Sequence, residues 1–414
     1  MTVGAALPGD VRMHGFSRRA EVGAVLEWVD HHAARLGATS VALDEAAGRV
    51  LAAPVVASLD VPEFDRSAMD GYAIRGAETA GASDYNPLAF TIVGEAFPGR
   101  PFAGAVAEGC AVRIMTGAPL PAGADAVVPA EYAQEKDGRV EVTQGVGPGK
   151  HVGVRGEDIR SGTTVLDAGR CLRAQDVGLL ASLGIARVDV IARPRVRILV
   201  TGNEIVNPGD AKGIHQIFDA NSPMLASLVA RDGGIVEKRL KLRDDAESIR
   251  AALTASGADV ILVSGGSSVG REDHAPRLLA EEGELAIHGV AMRPSSPAGV
   301  GKIGDVPVFL LPGNPVSCLC AYDFFAGRAI RLRGGRAPGW PPRTRDGVVA
   351  RKISSAVGRV DYCRVRWTGD GIEPLALSGA SILSSTTRAD GFVIVPAESE
   401  GYAPGTTVTV YLYE

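Results

Sequence analysis

The chain has 414 residues, 46% hydrophobic and 22% charged, a composition typical of a folded globular protein and unlike that of a disordered or coiled-coil one. Its length alone predicts about three domains. The formal net charge is −5, with lysine and arginine scattered among acidic residues, which argues against a dedicated nucleic-acid-binding protein.

Cysteines and apolar runs narrow the class further. The five cysteines are dispersed and form no CxxC pair, so the sequence predicts neither a disulfide framework nor a zinc site. No apolar run approaches the roughly 18 residues that span a bilayer. The N-terminal segment lacks the charge order of a secretory signal. We therefore expect a cytoplasmic protein that binds neither membranes nor nucleic acids.

The first 190 residues predict a helix, a β-rich region and a second helix. Apolar residues at helical spacing predict a helix over residues 17 to 37, with Ser17 as a candidate cap and Gly37 as its end. Short β-branched runs between Gly- and Pro-rich loops then predict a small β domain up to about residue 160. Residues 173 to 191 predict a helix that ends at Gly184, followed by a strand.

From Val196 onward, apolar strands alternate with helical segments. This pattern predicts a parallel, doubly wound α/β sheet with helices on both faces. After Gly334 the helical pattern ends. Short strands from about residue 345 to residue 414 then predict a small β-barrel or sandwich.

Three polar, glycine-containing loops follow apolar strands of the predicted sheet. They are TGNEIVNPG at residues 201 to 209, VSGGSSVGRED at 263 to 273 and LPGNPVS at 311 to 317. Ligands bind at the carboxyl ends of the strands in such sheets. Glycines at 265, 266 and 270 would let backbone N–H groups point at one anion, so the loops predict a phosphate site. The alternative is that these glycines only allow close packing.

Acidic residues recur beside these loops, at Glu204, Asp219, Asp244 and Asp273. Separated carboxylates at strand ends suit a hydrated Mg²⁺ that bridges phosphate oxygens, because this ion keeps waters and takes only one or two protein ligands. Each acid taken singly also suits a helix cap or a surface position. Asp244 or Asp245 could cap a helix that begins near Ala246.

Eight ordered segments resemble one family. They are DVPEFDRSAMDGYAIR (60–75), VRIMTGAPLPAGADAVVPAE (112–131), VRGEDIRSG (154–162), TGNEI (201–205), IFDANSPML (217–225), SGGSSVGRED (264–273), LPGNPVS (311–317) and LSSTTRADGFVIVP (383–396). On these motifs the chain resembles the MoeA family, the molybdopterin molybdenumtransferases, which also includes the E domain of gephyrin. The resemblance extends from about Ser17 to the C-terminus.

The resemblance implies a multidomain fold of the α+β and α/β classes. The implied domains are a discontinuous elongated domain I (17–55 and 156–192), an inserted β-rich domain II (56–155), a MogA/MoaB-like doubly wound α/β domain III that binds molybdopterin (193–334) and a C-terminal β-barrel domain IV (335–414). It also implies an L-shaped homodimer whose active cleft lies between protomers.

The activity implied by the resemblance is the last step of molybdenum cofactor biosynthesis. Molybdate would be inserted into adenylylated molybdopterin with release of AMP. Mg²⁺ is the implied cofactor, while molybdate and adenylylated molybdopterin are the substrates. A molybdopterin adenylyltransferase is the implied pathway partner.

Roles can be carried over residue by residue from the family motifs. The implied catalytic residues are Asp70, Thr116, Asp158, Glu204, Asp244, Asp273 and Arg293. The implied metal-binding residues are Asp244, Asp273 and Glu204. The implied molybdopterin-binding residues are Thr201, Gly202, Ser264, Gly265, Gly266, Ser267, Ser268, Gly270, Pro312, Gly313, Asn314, Pro315, Ser317, Arg364 and Ser381. As alternatives, Asp70 could close a turn at Gly71, and Asp158 could cap structure around Gly156.

One segment departs from the family pattern. The family usually shows KPGKP, whereas this chain has RPSSP at residues 293 to 297. Arg293 retains the positive charge of the first family lysine, although on a planar guanidinium group. Ser296 is neutral and does not retain the charge of the second lysine. The cleft would therefore lose a cation where two anions gather.

This departure leaves alternatives open. Lys302, Arg271 or Lys212 could compensate for the missing lysine. If none does, the chain could be a divergent MoeA-like paralogue with weakened or altered activity. A further alternative is that the chain is not an enzyme but a binding scaffold, like the E domain of gephyrin.

Overall fold

The computed structural model describes residues 19–266, 273–376 and 379–413. Within these ranges the chain forms two compact units. The larger unit comprises residues 19–39, 48–50 and the described residues from 189 onward. The smaller unit comprises residues 40–47 and 51–188.

The helices of the described residues are mostly short. In chain order they are α1 (Val22–His32), α2 (Ala174–Ser182), α3 (Asn221–Arg231), α4 (Ala246–Thr254), α5 (Ala275–Glu282), α6 (Pro315–Ala321), α7 (Gly327–Arg333) and α8 (Ser384–Thr387). A π-helical turn, Tyr322–Ala326, joins α6 to α7. In the part of the chain that the structure describes, no helix has the length and apolar character that crossing a membrane requires.

The strands are distributed over both units. In chain order they are β1 (Ala38–Ala42), β2 (Val55–Val56), β3 (Arg66–Ser67), β4 (Gly71–Ile74), β5 (Leu88–Ala96), β6 (Cys110–Ile114), β7 (Ala126–Pro129), β8 (Ala133–Lys136), β9 (Arg139–Val142), β10 (Val152–Gly153), β11 (Thr164–Leu166), β12 (Arg187–Ile191), β13 (Arg195–Thr201), β14 (Ile205–Val206), β15 (Ile217–Phe218), β16 (Ile235–Leu242), β17 (Val260–Ser264), β18 (Glu284–His288), β19 (Met292–Arg293), β20 (Gly299–Ile303), β21 (Val306–Leu311), β22 (Thr344–Val348), β23 (Ile353–Ser354), β24 (Val360–Thr368), β25 (Gly371–Ala376), β26 (Gly391–Val395), β27 (Gly401–Tyr402) and β28 (Thr407–Leu412).

The larger unit contains a six-stranded sheet in the order β16, β13, β17, β21, β20, β18. The first four strands are parallel, as the sequence predicts. The prediction of a parallel sheet is wrong for the last two, because β20 is antiparallel to β21 and β18 to β20. Only Gly304 and Asp305 separate β20 from β21, and so short a connection permits only antiparallel pairing.

Helices cover both faces of this sheet, which confirms the doubly wound arrangement. On one face, Leu225 and Val229 of α3 belong to the same buried cluster as Ile198 of β13. On the other face, α4 and α5 pack against the sheet in a second buried cluster that includes Leu199. Residues 198 and 199 contribute to opposite cores because side chains alternate along a strand.

The strands after α7 form the predicted C-terminal β-barrel. The sheet runs β19, β24, β26, β28, β22, where the short strand β19 comes from the segment before α6. Strand β25 pairs with residues 364–368 of β24, beyond the two residues of β24 that pair with β19. The two edges of the sheet meet where Ala350 N–H donates to the Ile372 carbonyl at 2.9 Å. Along β24, Cys363 and Val365 enter the barrel core, whereas Tyr362 joins the core beside the α/β sheet. This alternation brings Arg364 to the α/β side of the strand.

The smaller unit is built on another six-stranded sheet, in the order β7, β4, β6, β5, β9, β8. Buried apolar residues pack on both of its faces in two clusters. Strand β4 lies antiparallel to β6, with Gly71 opposite Ile114. The residue before β4 and the loop after β6 therefore lie at the same edge of the sheet.

The first helix is shorter than the sequence predicts. It begins at Val22 and ends at His32, with Val22, Val25 and Val29 buried, as the spacing predicts. Ser17 lies outside the described residues. The helix cannot begin before Ala20, because the Ala20 backbone N–H donates to Gly289 and its carbonyl accepts from Ala291, as in a strand.

Candidate functional site

The three loops predicted to bind phosphate begin side by side at one edge of the α/β sheet. Strands β13, β17 and β21 are parallel neighbours, and Ser264 is opposite Val200 on one side and Leu311 on the other. Because the strands end at the same level, the segments after Thr201, Ser264 and Leu311 adjoin one another. This confirms the topology that the prediction required, but not the ligand.

Gly265 forms the closest contact at this edge. Its φ is 89°, in the region that favours glycine, and its N–H donates to the Leu311 carbonyl at 3.2 Å. A Cβ at this position would lie 2.4 Å from the Thr201 carbonyl oxygen. The turn therefore requires glycine for both conformation and space. Ser267, Ser268 and Gly270 lie outside the described residues.

Two buried polar atoms beside this turn lack partners. Thr201 is 3% exposed, and its Oγ1 has no hydrogen-bond partner among the residues described. Asn221 Nδ2 donates to Ser264 Oγ at 2.9 Å and to the Gly313 carbonyl at 2.8 Å. Its Oδ1 has no hydrogen-bond partner among the described residues either. Buried polar atoms are nearly always hydrogen-bonded, so this pair indicates a place where a polar ligand can bind.

Asn221 was not among the predicted site residues. It lies in the segment IFDANSPML, but it is the first residue of α3 and does not follow a strand of the main sheet. The pattern of a polar loop after an apolar strand therefore does not indicate Asn221. Its side chain joins the loop after β17 to the loop after β21, which makes it a positioning residue for both.

The acidic residues predicted to hold Mg²⁺ lie beside the segments that follow β13 and β17. Asp244 Oδ2 accepts a hydrogen bond from Asn203 N–H at 3.1 Å, and Asn203 Oδ1 accepts one from Asp244 N–H at 3.4 Å. Glu204 Oε2 lies 2.8 Å from the point that a Cβ on Gly202 would occupy. Asp273 Oδ1 lies 4.0 Å from the corresponding point on Gly266.

These carboxylates do not form a closed metal cage. No group of three or more His, Cys, Asp or Glu side chains that could hold an ion occurs within the described ranges. Mg²⁺ keeps most of its waters and needs only one or two carboxylates, often together with phosphate oxygens. The residues present therefore fit a hydrated Mg²⁺ that arrives with a phosphorylated ligand, with Glu204, Asp244 or Asp273 as its protein ligands.

The alternative of a helix cap is now resolved for two of the acids. Asp245 caps α4, because its side chain accepts from Ser248 N–H at 2.9 Å and from Glu247 N–H at 3.4 Å. Asp219 accepts from Ser222 N–H at 2.9 Å at the start of α3. Asp244 is therefore not the cap.

A cavity of about 700 Å³ lies between the α/β sheet and the barrel. Its lining comes from the RPSSP segment, from the loop after β21, and from barrel residues 356–359 and 379–380. Four arginines line it: Arg19, Arg293, Arg359 and Arg364. Of the residues predicted to form the site, it brings together Arg293, Pro312, Asn314, Ser317 and Arg364.

One buried carboxylate balances part of this positive charge. Asp361 is 1% exposed and is the cross-strand neighbour of Arg293, with which it forms an ion pair. Arg359 Nε lies 3.5 Å from the same carboxylate, and Ser355 Oγ donates to it at 2.7 Å. Because the single carboxylate of Asp361 pairs with both Arg293 and Arg359, the cavity keeps a net positive charge that favours the binding of anions.

The RPSSP segment contains a backbone conformation that suits glycine. Ser295 has a φ of 94°, is 2% exposed, and donates from Oγ to the Ser317 carbonyl at 2.6 Å. A serine in this region of φ is strained by about 1 to 2 kcal/mol. The hydrogen bond to α6 holds it in place.

We expect Ser295→Ala to lower the free energy of unfolding by about 1 to 2 kcal/mol, because it removes the hydrogen bond and keeps the strain. Ser295→Gly also removes the bond but relieves the strain, so it should be the more stable of the two by about 1 kcal/mol. Urea unfolding of both variants measures the difference. A glycine variant that unfolds before the alanine variant would show that the backbone at this position is not strained.

The remaining predicted residues of the larger unit surround the loop after β21. Pro315 begins α6, and Val316 N–H donates to the Ala380 carbonyl at 3.0 Å, which ties this helix to the barrel. Ser381 is exposed and follows two residues that line the cavity. The loop of residues 312–314 therefore borders both the arginine cavity and the Gly265 turn, since a Cβ on Gly313 would lie 3.5 Å from the Gly265 Cα.

Asp70, Thr116 and Asp158 belong to the smaller unit. Asp70 Oδ1 accepts hydrogen bonds from the Thr116 N–H and from its hydroxyl, both at 2.7 Å. Both bonds lower the pKa of Asp70 below its ordinary value, and the bond from the Thr116 N–H has the larger effect. Asp158 is exposed, and its backbone N–H donates to the Val61 carbonyl at 3.1 Å.

Comparison with known proteins identifies the family. Three family models match in succession: "MoeA N-terminal region (domain I and II)" over residues 20–184, "Probable molybdopterin binding domain" over 197–331 and "MoeA C-terminal region (domain IV)" over 346–413. The Molybdopterin molybdenumtransferase 2 of Mycobacterium tuberculosis is 37% identical over 333 residues, covering 78% of this chain and 82% of that protein. The chain belongs to the MoeA family.

Other members of the MoeA family agree in sequence and in structure. The Molybdopterin molybdenumtransferase of Haemophilus influenzae is 32% identical over 377 residues, covering 89% of this chain and 92% of that protein. A solved structure of a molybdopterin biosynthesis MoeA protein from Pyrococcus horikosii superposes with a TM-score of 0.82 at 31% identity, covering 96% of this chain and all of that one. The predicted family, its transferase class and the predicted fold class are thereby confirmed.

Proposed function

We propose that this MoeA-family chain inserts molybdate into adenylylated molybdopterin, with Mg²⁺, and releases AMP. One observation carries the proposal. The loop of residues 312–314 borders the arginine-lined cavity on one side and the Gly265 turn, with the unpartnered Thr201 hydroxyl, on the other. A phosphorylated ligand at the turn and an oxyanion in the cavity would thus lie on either side of one short segment.

The phosphate groups of molybdopterin would bind at the strand tips. The Gly266 N–H can face phosphate oxygens, and Thr201 Oγ1 can donate a hydrogen bond to them, whereas the Gly265 N–H stays bonded to the Leu311 carbonyl. Mg²⁺ held by Glu204, Asp244 or Asp273 would neutralise negative charge on the phosphoanhydride that is cleaved when AMP leaves. Ser267, Ser268 and Gly270, which lie outside the described residues, remain part of the proposed molybdopterin-binding set.

Molybdate, as the second substrate, would bind in the arginine cavity. Arg293 and Arg364 are placed there by β19 and by the outer face of β24, so their guanidinium groups are held by two separate strands. A guanidinium binds two oxygens of an oxyanion at once, which suits a tetrahedral dianion. Asn314, Ser317 and Ser381 would add polar contacts at the edge.

The smaller unit would contribute across a homodimer. The turn in which Thr116 is bonded to Asp70, together with the loop of Asp158, would face the cleft of the other protomer. The four-domain layout with boundaries at residues 56, 156, 193 and 335 forms part of the same proposal. The substrate would come from a molybdopterin adenylyltransferase.

The test is a direct assay of the purified full chain. Incubation with adenylylated molybdopterin, molybdate and Mg²⁺ is expected to release AMP, measured by liquid chromatography. Chelation of Mg²⁺ should stop the release, and added Mg²⁺ should restore it. If no AMP appears under conditions in which the Mycobacterium tuberculosis relative releases it, the proposed reaction is wrong.

The RPSSP segment favours one second candidate, a divergent paralogue with weakened or altered activity. In that case AMP release would be slow, and Ser296→Lys would raise it. A chain that binds both ligands without turnover would instead fit a binding scaffold. The same assay, with binding of each substrate measured alongside AMP, separates these outcomes.

A further inference from the structure

The cavity has a cationic residue that no sequence motif indicates. Arg19 lines it, and its Nε donates to Ser296 Oγ at 2.7 Å. Ser296 is the position at which the family pattern has its second lysine. The two residues are 277 positions apart in the sequence, so their contact depends on the fold alone.

The backbone next to Arg19 is fixed on the α/β sheet. Ala20 N–H donates to the Gly289 carbonyl at 2.9 Å, and Ala291 N–H donates to the Ala20 carbonyl at 2.8 Å. Together these bonds form a parallel bridge between Ala20 and Val290. The position of Arg19 at the cavity therefore follows from main-chain pairing and not from its side-chain contact alone.

The side chain of Arg19 is set to receive an anion. Within the described residues it forms no ion pair, whereas Arg293 and Arg359 share the carboxylate of Asp361. Its Nε is bonded to a neutral hydroxyl, and its two terminal nitrogens have no described partner. A guanidinium held in this way can donate two parallel hydrogen bonds to one oxyanion.

Neither of the two lysines considered from the sequence reaches this cavity. Lys302 Nζ lies 3.8 Å from Glu284 Oε2, on the far edge of the sheet. Lys212 Nζ donates to the Gln216 carbonyl at 3.2 Å and lies over the Phe218 ring. Neither lysine lines the cavity, and Arg271 lies outside the described residues.

We propose that Arg19 is an oxyanion-binding residue of this cavity and that its charge replaces the lysine that Ser296 has displaced. The inference rests on the proposed function, because it assumes that a molybdate-like dianion binds there. The short Ser296 side chain leaves room for the guanidinium and orients it through Nε. The arginine and the serine thus act as a matched pair.

The test measures molybdate binding to the full chain by titration calorimetry. Arg19→Gln is expected to weaken binding by about 10- to 100-fold, the effect of one charge-assisted hydrogen bond. Adding Ser296→Lys to that variant should bring the dissociation constant back to within about threefold of the wild-type value, because the lysine returns a positive charge to the cavity. Arg35→Gln, which removes an exposed arginine after α1, is the matched control and should bind as the wild type does.

The outcomes separate this inference from the proposed function. If the wild type binds molybdate and Arg293→Gln impairs binding while Arg19→Gln does not, the role of Arg19 is wrong and the cavity stands. If Arg19→Gln weakens binding but Ser296→Lys gives no recovery, Arg19 does not act as a replacement charge, and the proposal is again wrong. If the wild type binds no molybdate, both proposals fail together.

Discussion

Replacing Gly265 by alanine is expected to abolish most AMP release and to lower the free energy of unfolding by about 2 to 4 kcal/mol. Two causes combine. An alanine at a φ of 89° is strained, and its Cβ would lie 2.4 Å from the Thr201 carbonyl oxygen. The loop must then move away from β13, which would displace the phosphate groups that we propose to bind there. Chemical denaturation and the AMP assay measure the two effects separately.

Gly405→Ala is the matched control for this variant. Gly405 has a φ of 86° in a barrel turn, but a Cβ there would meet nothing within 4 Å. The control therefore carries the conformational strain without the close contact. We expect it to lose only about 1 to 2 kcal/mol of stability and to keep its activity. Equal losses in the two variants would show that the approach of Gly265 to Thr201 has no special role.

We expect Asp361→Asn to make the protein less stable and its cavity a stronger anion binder. The carboxylate is 1% exposed and is paired with Arg293 and Arg359. Loss of a buried partner costs about 3 to 5 kcal/mol, but these arginines are 29% and 38% exposed and can hydrate, so we expect about 2 to 4 kcal/mol. Removal of the negative charge should strengthen molybdate binding by about tenfold, equivalent to about 1.4 kcal/mol.

Asp361→Asn should therefore lower the free energy of unfolding and raise the affinity for molybdate, and both quantities can be measured. Urea unfolding gives the stability, and titration with molybdate gives the affinity at constant ionic strength, since salt screens the cavity. Molybdate should also recover part of the lost stability, because it binds only the folded chain. Asp346→Asn, an exposed acid on β22, controls for the general change in net charge. Weaker molybdate binding in Asp361→Asn would contradict the electrostatic role of the cavity.

The strand tips could be predicted because their signals are local. Apolar runs followed by a glycine-containing polar segment (TGN after β13, SGG after β17 and PGN after β21) mark the ends of these strands in the sequence itself. Parallel neighbours then place those ends together by topology. By contrast, β20 was not predicted as a strand, because GVGKI contains two glycines and lacks a β-branched run.

The arginine cavity could be predicted only in part. Arg293 and Arg364 were carried over from family motifs, but Asp361 is an acid in a strand, a type of residue that is usually exposed. Its burial arises because β19 pairs with β24 and sets it opposite Arg293. Arg19 carries no motif, and its contact with Ser296 joins distant parts of the chain. Such contacts follow from tertiary packing, which periodicity and spacing do not encode.

Strand β24 contributes to two interiors at once, since Tyr362 and Cys363 point to opposite sides. Inserting or deleting one residue before Arg364 would exchange these sides and turn its guanidinium toward the middle of the barrel. Substitutions can alter this strand gradually, whereas changes in its length cannot. Over evolution the segment should therefore tolerate new side chains but conserve its residue count.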